Sequence, residues 1–121
     1  MRSIYTFFFI ISCVSAFAQI KQKPLKHVVT ITFSSNATEA QIQEVDRSFM
    51  SLKKLKVVQA YEWGVAVNQK DQSIKQHVYV FTFNSLEDMD TYAKSKEHQA
   101  HIQVGADITA GVSAVDYFEE K

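Results

Sequence analysis

The chain has 121 residues, 46% of them hydrophobic, and thirteen basic residues balance thirteen acidic ones. That suits one domain with one core. The even balance, with no basic stripe or block of like charge, argues against a nucleic-acid partner.

Arg2 precedes an apolar run from Ile4 to Val14, and Ser15-Ala16-Phe17-Ala18 then places small residues where an export leader is cut, after Ala18. The run is too short to span a bilayer, which takes about 20 residues. A buried N-terminal strand or an uncleaved anchor is one alternative. Another is suggested by Ile10-Ile11-Ser12-Cys13, which loosely resembles a lipoprotein cleavage box, although Val14 to Ala18 stays mostly apolar where a lipoprotein turns polar. Cleavage after Ala18 leaves 121 − 18 = 103 residues and removes the only cysteine and Arg2, for a net charge of 12 − 13 = −1. The expected organisation is a leader at 1–18, an exposed lead-in at 19–25 and one domain at 26–121. The mature protein would be secreted or periplasmic, without membrane attachment, disulfide or thiol chemistry.

A first strand is predicted over Lys26–Phe33 from its β-branched alternation. Thr38 is an N-cap with Gln41 completing a capping box. The helix it starts runs to about Lys54, with Ile42, Val45, Phe49 and Leu52 on one face. A second strand is expected over Val57–Val67, where Gly64 suggests a bulge or a close backbone approach. A polar loop at Asn68–Ser73 leads to a third strand, Lys75–Phe83. Ser85 caps a helix that turns Leu86, Met89, Tyr92 and Ala93 inward. Ser95 caps a further short helix to about Val104, Gly105 ends it, and a last strand covers Ile108–Phe118.

The segment HVVTITFSS at His27–Ser35 returns as HVYVFTFNS at His77–Ser85, five of nine positions being identical. Each copy runs into a helix, so the chain reads as a duplicated strand–helix unit: an α+β, ferredoxin-like βαββαβ sandwich. Odd positions of the first and third strands (Val29, Ile31, Phe33, Tyr79, Phe81, Phe83) are bulky enough to receive the helices. Even positions (Val28, Thr30, Thr32, Val78, Val80, Thr82) lack the polar alternation of a solvated face. A second copy of the chain is therefore expected to cover that face, making a dimeric α+β barrel, rather than leaving it exposed on a monomer.

Four histidines carry the candidate chemistry. The first and third strands are expected to be central, adjacent and parallel, which would start His27 and His77 at the same end of the helix-covered face. Tyr92 lies on the inner side of its helix. The break at Ser95-Lys96 turns His98 back over the same space, floored by Tyr79 and Phe81. Imidazoles and a phenol around an apolar pocket suit proton transfer near neutral pH, or simple polar anchoring of a ligand. His27 and His77 also fit a purely structural role, each bonding a loop carbonyl, and on the residues alone Tyr92 and His98 fit packing and surface. His98-x-x-His101 has a helical metal spacing, but zinc needs three or four ligands and no such set is evident. Trp63 reads as packing on the sheet. There is no phosphate loop, G-x-S-x-G, cysteine nucleophile or cofactor motif.

Lys26-His-Val-Val-Thr-Ile-Thr-Phe, Trp63-Gly64, the His77–Phe83 segment, Ser85-Leu-Glu-Asp-Met with Tyr92, His98 and Val115-Asp116-Tyr117 together resemble the stress-responsive α/β-barrel (Dabb) domain from about Leu25 to Phe118. The resemblance implies a dimeric α+β barrel of ferredoxin-like halves. Olivetolic acid cyclase, a plant member performing an intramolecular aldol condensation, has a tyrosine–histidine pair six residues apart, matched here by Tyr92 and His98. It also has two pocket histidines matched by His27 and His77. By that resemblance His98 would be the base and Tyr92 would polarise a carbonyl. The intervening segment Ala93-Lys-Ser-Lys-Glu97 is more polar than in the cyclase and lacks its proline, and that cyclase is cytosolic.

Two functional readings follow. One is an exported, non-catalytic homodimer that binds a small hydrophobic or aromatic ligand. The other is a cofactor-free, cyclase-like lyase in which His98 and Tyr92 do acid–base work on a carbonyl or polyketide-like substrate. Haem or oxygen chemistry, known in other dimeric α+β barrels, finds no ligand motif.

Overall fold

The computed structural model describes residues 23–121. The expected leader and cleavage site, and Cys13, lie outside the described residues. The order is β1 (Leu25–Phe33), α1 (Glu39–Leu52), β2 (Ala60–Val65), β3 (Gln76–Phe83), α2 (Leu86–Lys94), α3 (Lys96–Gln103), a 3₁₀ turn (Ala106–Ile108) and β4 (Thr109–Phe118). Four antiparallel strands in the order β2-β3-β1-β4 carry the helices on one face, the ferredoxin-like α+β fold.

One expectation about the sheet is overturned. β1 and β3 are central and adjacent but antiparallel, with His27 opposite Phe81 and Ile31 opposite His77. The crossover through α1 lays β2 parallel to β1 with one strand's width between them. The hairpin after β2 then folds β3 back into that gap, against both neighbours. The two histidines that lead the repeats are thus separated by four residues along the sheet, about 13 Å.

Local chemistry fixes the helix ends. Thr38 Oγ1 accepts from the Gln41 amide at 3.2 Å and Gln41 Oε1 accepts from the Thr38 amide at 2.9 Å, the capping box expected there. Ser85 caps α2 by accepting from Asp88 N. Ser95, extended at ψ 151°, ends α2 and caps α3 by accepting from His98 N. Gly105 follows α3 at φ 73°, where a Cβ would meet Val45 Cγ2 at 2.3 Å. Position 105 therefore requires glycine on both conformational and packing grounds.

The core lies between the sheet and α1, with Ile42, Val45, Phe49 and Leu52 against Val29, Ile31, Phe81 and Phe83. Phe49 stacks on Tyr79 with ring centroids 3.7 Å apart. Each such buried side chain contributes about 1.5–3 kcal/mol. Four details differ from expectation. β2 is shorter, because Val57 and Val58 pack on the core without joining the ladder. Gly64 makes neither bulge nor close approach: its register with Val78 is regular and nothing lies within 4 Å of its Cβ position. The ladder slips instead at Thr32/Phe33 against β4. Leu86, expected inward, is 57% exposed at the start of α2.

Candidate functional site

Between α3, α1 and the β1–β4 half of the sheet lies a cavity of about 450 Å³, lined by His27, Phe49, Tyr92, His98, His101 and Val112 among others. The break at Ser95 performs the turn expected of it and brings the His98 ring to 4.7 Å from the Tyr92 ring, centroid to centroid. His98 Nδ1 donates to the Ala93 carbonyl at 3.1 Å. A singly protonated ring therefore presents Nε2 as an acceptor. Burial holds His98 below its ordinary pKa, opposed by the Ala93 bond and reinforced by His27. Tyr92 is almost wholly buried, yet its hydroxyl has no partner among the described residues and still opens on to the cavity. Burial pushes its pKa well up, so it remains a proton donor.

Two further residues complete this wall. His27 Nδ1 sits 2.5 Å from Asp116 Oδ1, a carboxylate brought opposite it by the β1–β4 register. His101 Nδ1 lies 2.7 Å from Ser48 Oγ, and burial, with repulsion from His98, pushes its pKa down to about 4. The His98 and His101 rings are 6.0 Å apart, and no third His, Cys, Asp or Glu joins them as a metal-binding group among the described residues. The chemistry available is an uncharged imidazole acceptor beside a phenolic donor in an apolar chamber. Such a pair can orient a carbonyl or a hydroxyl.

The remaining candidate residues do not belong to this chamber. His77 faces the opposite end of the sheet, where its Nδ1 meets Asp46 Oδ1 at 2.7 Å. Tyr79 and Phe81, expected on the pocket floor, are completely buried in the core. The Tyr79 hydroxyl donates to the same Asp46 oxygen at 2.6 Å, and burial drives its pKa far up. The structural role weighed for the strand histidines takes the form of carboxylate bonds in place of loop carbonyls.

Asp46, Asp116 and Ser48 were not singled out by the sequence reading, nor was His101 as a pocket residue. Asp46 did leave a signal, since it sits on the apolar stripe of α1 between Val45 and Phe49, where a carboxylate needs partners. Asp116 falls within the Val115-Asp116-Tyr117 segment of the family resemblance, but its pairing with His27 depends on strand register.

The fold and the paired rings define a ferredoxin-like α+β protein with a polar-edged apolar chamber. The model of the stress-responsive A/B barrel domain (Dabb) matches residues 25–119, and the chain belongs to that family. No curated protein matches the chain. Among solved structures, it is similar to a dimeric ferredoxin-like protein of unknown function from Bacteroides fragilis (23% identity, 81% of this chain and 98% of that one, TM-score 0.65). It is also similar to a Dabb family protein from Mesorhizobium loti (14%, 83% and 100%, 0.69). A third is the hydroxynitrile lyase of Passiflora edulis (16%, 82% and 95%, 0.72). These likenesses establish the shared fold.

Proposed function

We propose that this Dabb domain is an exported homodimer in which each chain holds a small hydrophobic or aromatic ligand between Tyr92, His98 and His27. The observation that carries this reading is that Tyr92 Oη and His98 Nε2, without partners among the described residues, belong to side chains lining one largely apolar cavity. The ligand's apolar body would fill the chamber while a hydroxyl accepts from Tyr92 and donates to His98 Nε2, or a carbonyl oxygen accepts from Tyr92 alone.

The open sheet face supports the dimer. Part of its polar surface is paired within the chain: Lys26 Nζ donates to Thr82 Oγ1 and Gln76 Nε2 to Thr32 Oγ1, both at 2.8 Å, while the exposed Glu62, opposite Val80, lies on the edge strand β2. What remains is a half-buried field of Val28, Val78 and Val80, extended by the exposed Val115 and Tyr117. A partner sheet can cover such a face at little polar cost. The dimeric state of the Bacteroides fragilis relative points the same way. Export rests on the leader-like N-terminus, and intact mass of the secreted chain should begin at Gln19.

A catalytic reading is favoured by the same pair. With His98 held uncharged, Nε2 can take a proton from carbon beside a carbonyl, while Tyr92 donates to the oxygen that gains charge. The Passiflora lyase shows that one protein of this fold carries out a lyase reaction. The deciding experiment titrates aromatic ketones and aldehydes and the corresponding alcohols into wild type and His98→Ala, following heat of binding of the alcohols and turnover of the carbonyl compounds. Binding that weakens at least tenfold in the variant supports the pocket, and turnover lost with it supports catalysis. Equal binding in both proteins, with turnover in neither, removes the pocket reading.

A further inference from the structure

The antiparallel sheet leaves His77 at the far end from the chamber, and there it is part of a second constellation. A cavity of about 660 Å³ lies over the β2–β3 hairpin and the first turns of α1, with Asp46, Trp63, Lys75 and His77 among its lining. The two cavities meet the same helix on neighbouring residues: Val45 and Phe49 line the first, Ile42 and Asp46 the second. Between them stands the stacked pair Phe49–Tyr79, which belongs to the filled core.

We infer that Asp46, His77 and Trp63 form a second ligand site, one that takes an uncharged flat aromatic ring bearing a hydroxyl donor. Asp46 is 8% exposed, and one of its oxygens receives both His77 Nδ1 at 2.7 Å and Tyr79 Oη at 2.6 Å. This clamp fixes the orientation of the imidazole, and in the singly protonated ring the carboxylate holds the proton on Nδ1 and leaves Nε2 as the acceptor. Nε2 has no partner among the described residues and is not sealed from the cavity. The carboxylate bond that positions the ring thus leaves its second nitrogen available to a ligand.

Trp63 supplies the other half of the recognition. It lies on the helix side of β2, tilted 38° to the His77 ring with centroids 5.6 Å apart, and stacks on Tyr79 beneath. It is still 40% exposed, so its free indole surface borders the cavity as a platform for a second ring. The charges disfavour an anion: Glu39 and Asp46 oppose one ammonium, Lys75, which is itself bonded to the Ala37 carbonyl at 3.3 Å. A ring lying along Trp63 with its hydroxyl donating to Nε2 satisfies the indole face and the imidazole acceptor, while Gln43, Gln69 and Gln72 stay at the solvent side of the space. This site differs chemically from the first chamber, where Tyr92 adds a donor and a bare ketone can bind.

Trp63 is the only tryptophan in the chain, so fluorescence excited where tyrosine does not absorb reads this site alone. The probe is p-cresol, with toluene as its counterpart lacking the hydroxyl and acetophenone as a ring without a donor. The site predicts a saturable Trp63 response to p-cresol, at least about tenfold weaker binding of toluene, and no displacement by acetophenone. His77→Phe should weaken p-cresol by a similar factor. Should that variant fail to fold with Asp46 short of a partner, the comparison of p-cresol with toluene on wild type decides alone. No saturable response, equal affinity for p-cresol and toluene, or displacement by acetophenone would each overturn the inference. None of these outcomes depends on the first chamber being a ligand site.

Discussion

His101 offers a quantitative test of how dry the first chamber is. Its folded pKa of about 4, against an ordinary 6.5, means that the unfolded chain takes up the proton first as pH falls. A depressed histidine is therefore stabilising above its unfolded value, and that contribution is lost as pH drops from about 6.5 toward 4. Fully expressed, the shift corresponds to about 3.4 kcal/mol, of which about 2 kcal/mol falls between pH 7 and pH 5. The ring is only partly enclosed, and solvent screening reduces the expectation to about 1 kcal/mol. His101→Gln keeps a polar partner for Ser48 and removes the titration. Urea unfolding of both proteins at pH 7 and pH 5, at one protein concentration, reads the contribution of His101 together with its coupling to His98. Wild type should lose about 1 kcal/mol more than the variant on acidification. An equal loss, or a larger one in the variant, would mean that His101 is hydrated and the chamber wall is not as described.

Three further outcomes follow from the packing. Gly105→Ala must hold a left-handed residue and displace Val45 Cγ2 from 2.3 Å, so it should destabilise by about 2–5 kcal/mol; a loss under about 1 kcal/mol in urea unfolding would contradict that geometry. The Tyr61 hydroxyl is buried without a partner among the described residues, and burial, with the Asp46 charge, pushes its pKa to about 12. Tyr61→Phe should accordingly raise stability by about 1 kcal/mol, and a clear loss would reveal a bond not accounted for. Light scattering of the mature chain should give twice the monomer mass, and Val80→Asp, at the middle of the open face, should halve it; a wild-type monomer at micromolar concentration would refute the sheet-to-sheet dimer.

Elements that depend on local chemistry were readable in the sequence. The Thr38 capping box, the Ser85 and Ser95 caps, the Gly105 stop and the Ile42–Leu52 stripe all appear where the residues place them. The cap at Ser95 allowed a turn between Tyr92 and His98, but whether His98 faced a pocket or solvent was not legible, because it depends on how α3 lies on the sheet. Relations set by strand direction were harder to read. The His27–His77 repeat suggested one shared end, whereas an antiparallel register separates the two and gives each its own carboxylate. Asp116 reaches His27 only through the β1–β4 register, and Asp46 reaches His77 only through the way α1 lies on the sheet. Repetition revealed the frame but not the partners, since the acids come from different elements in the two halves.

The account rests most directly on His98 and Tyr92 facing a usable chamber. Imidazole nitrogen NMR of the intact protein during an acetophenone titration reads this at a single atom. The predicted result is a saturable shift of His98 Nε2 with the His77 resonances unmoved. A His98 signal that stays fixed at saturating ligand, or a shift confined to His77, would contradict it.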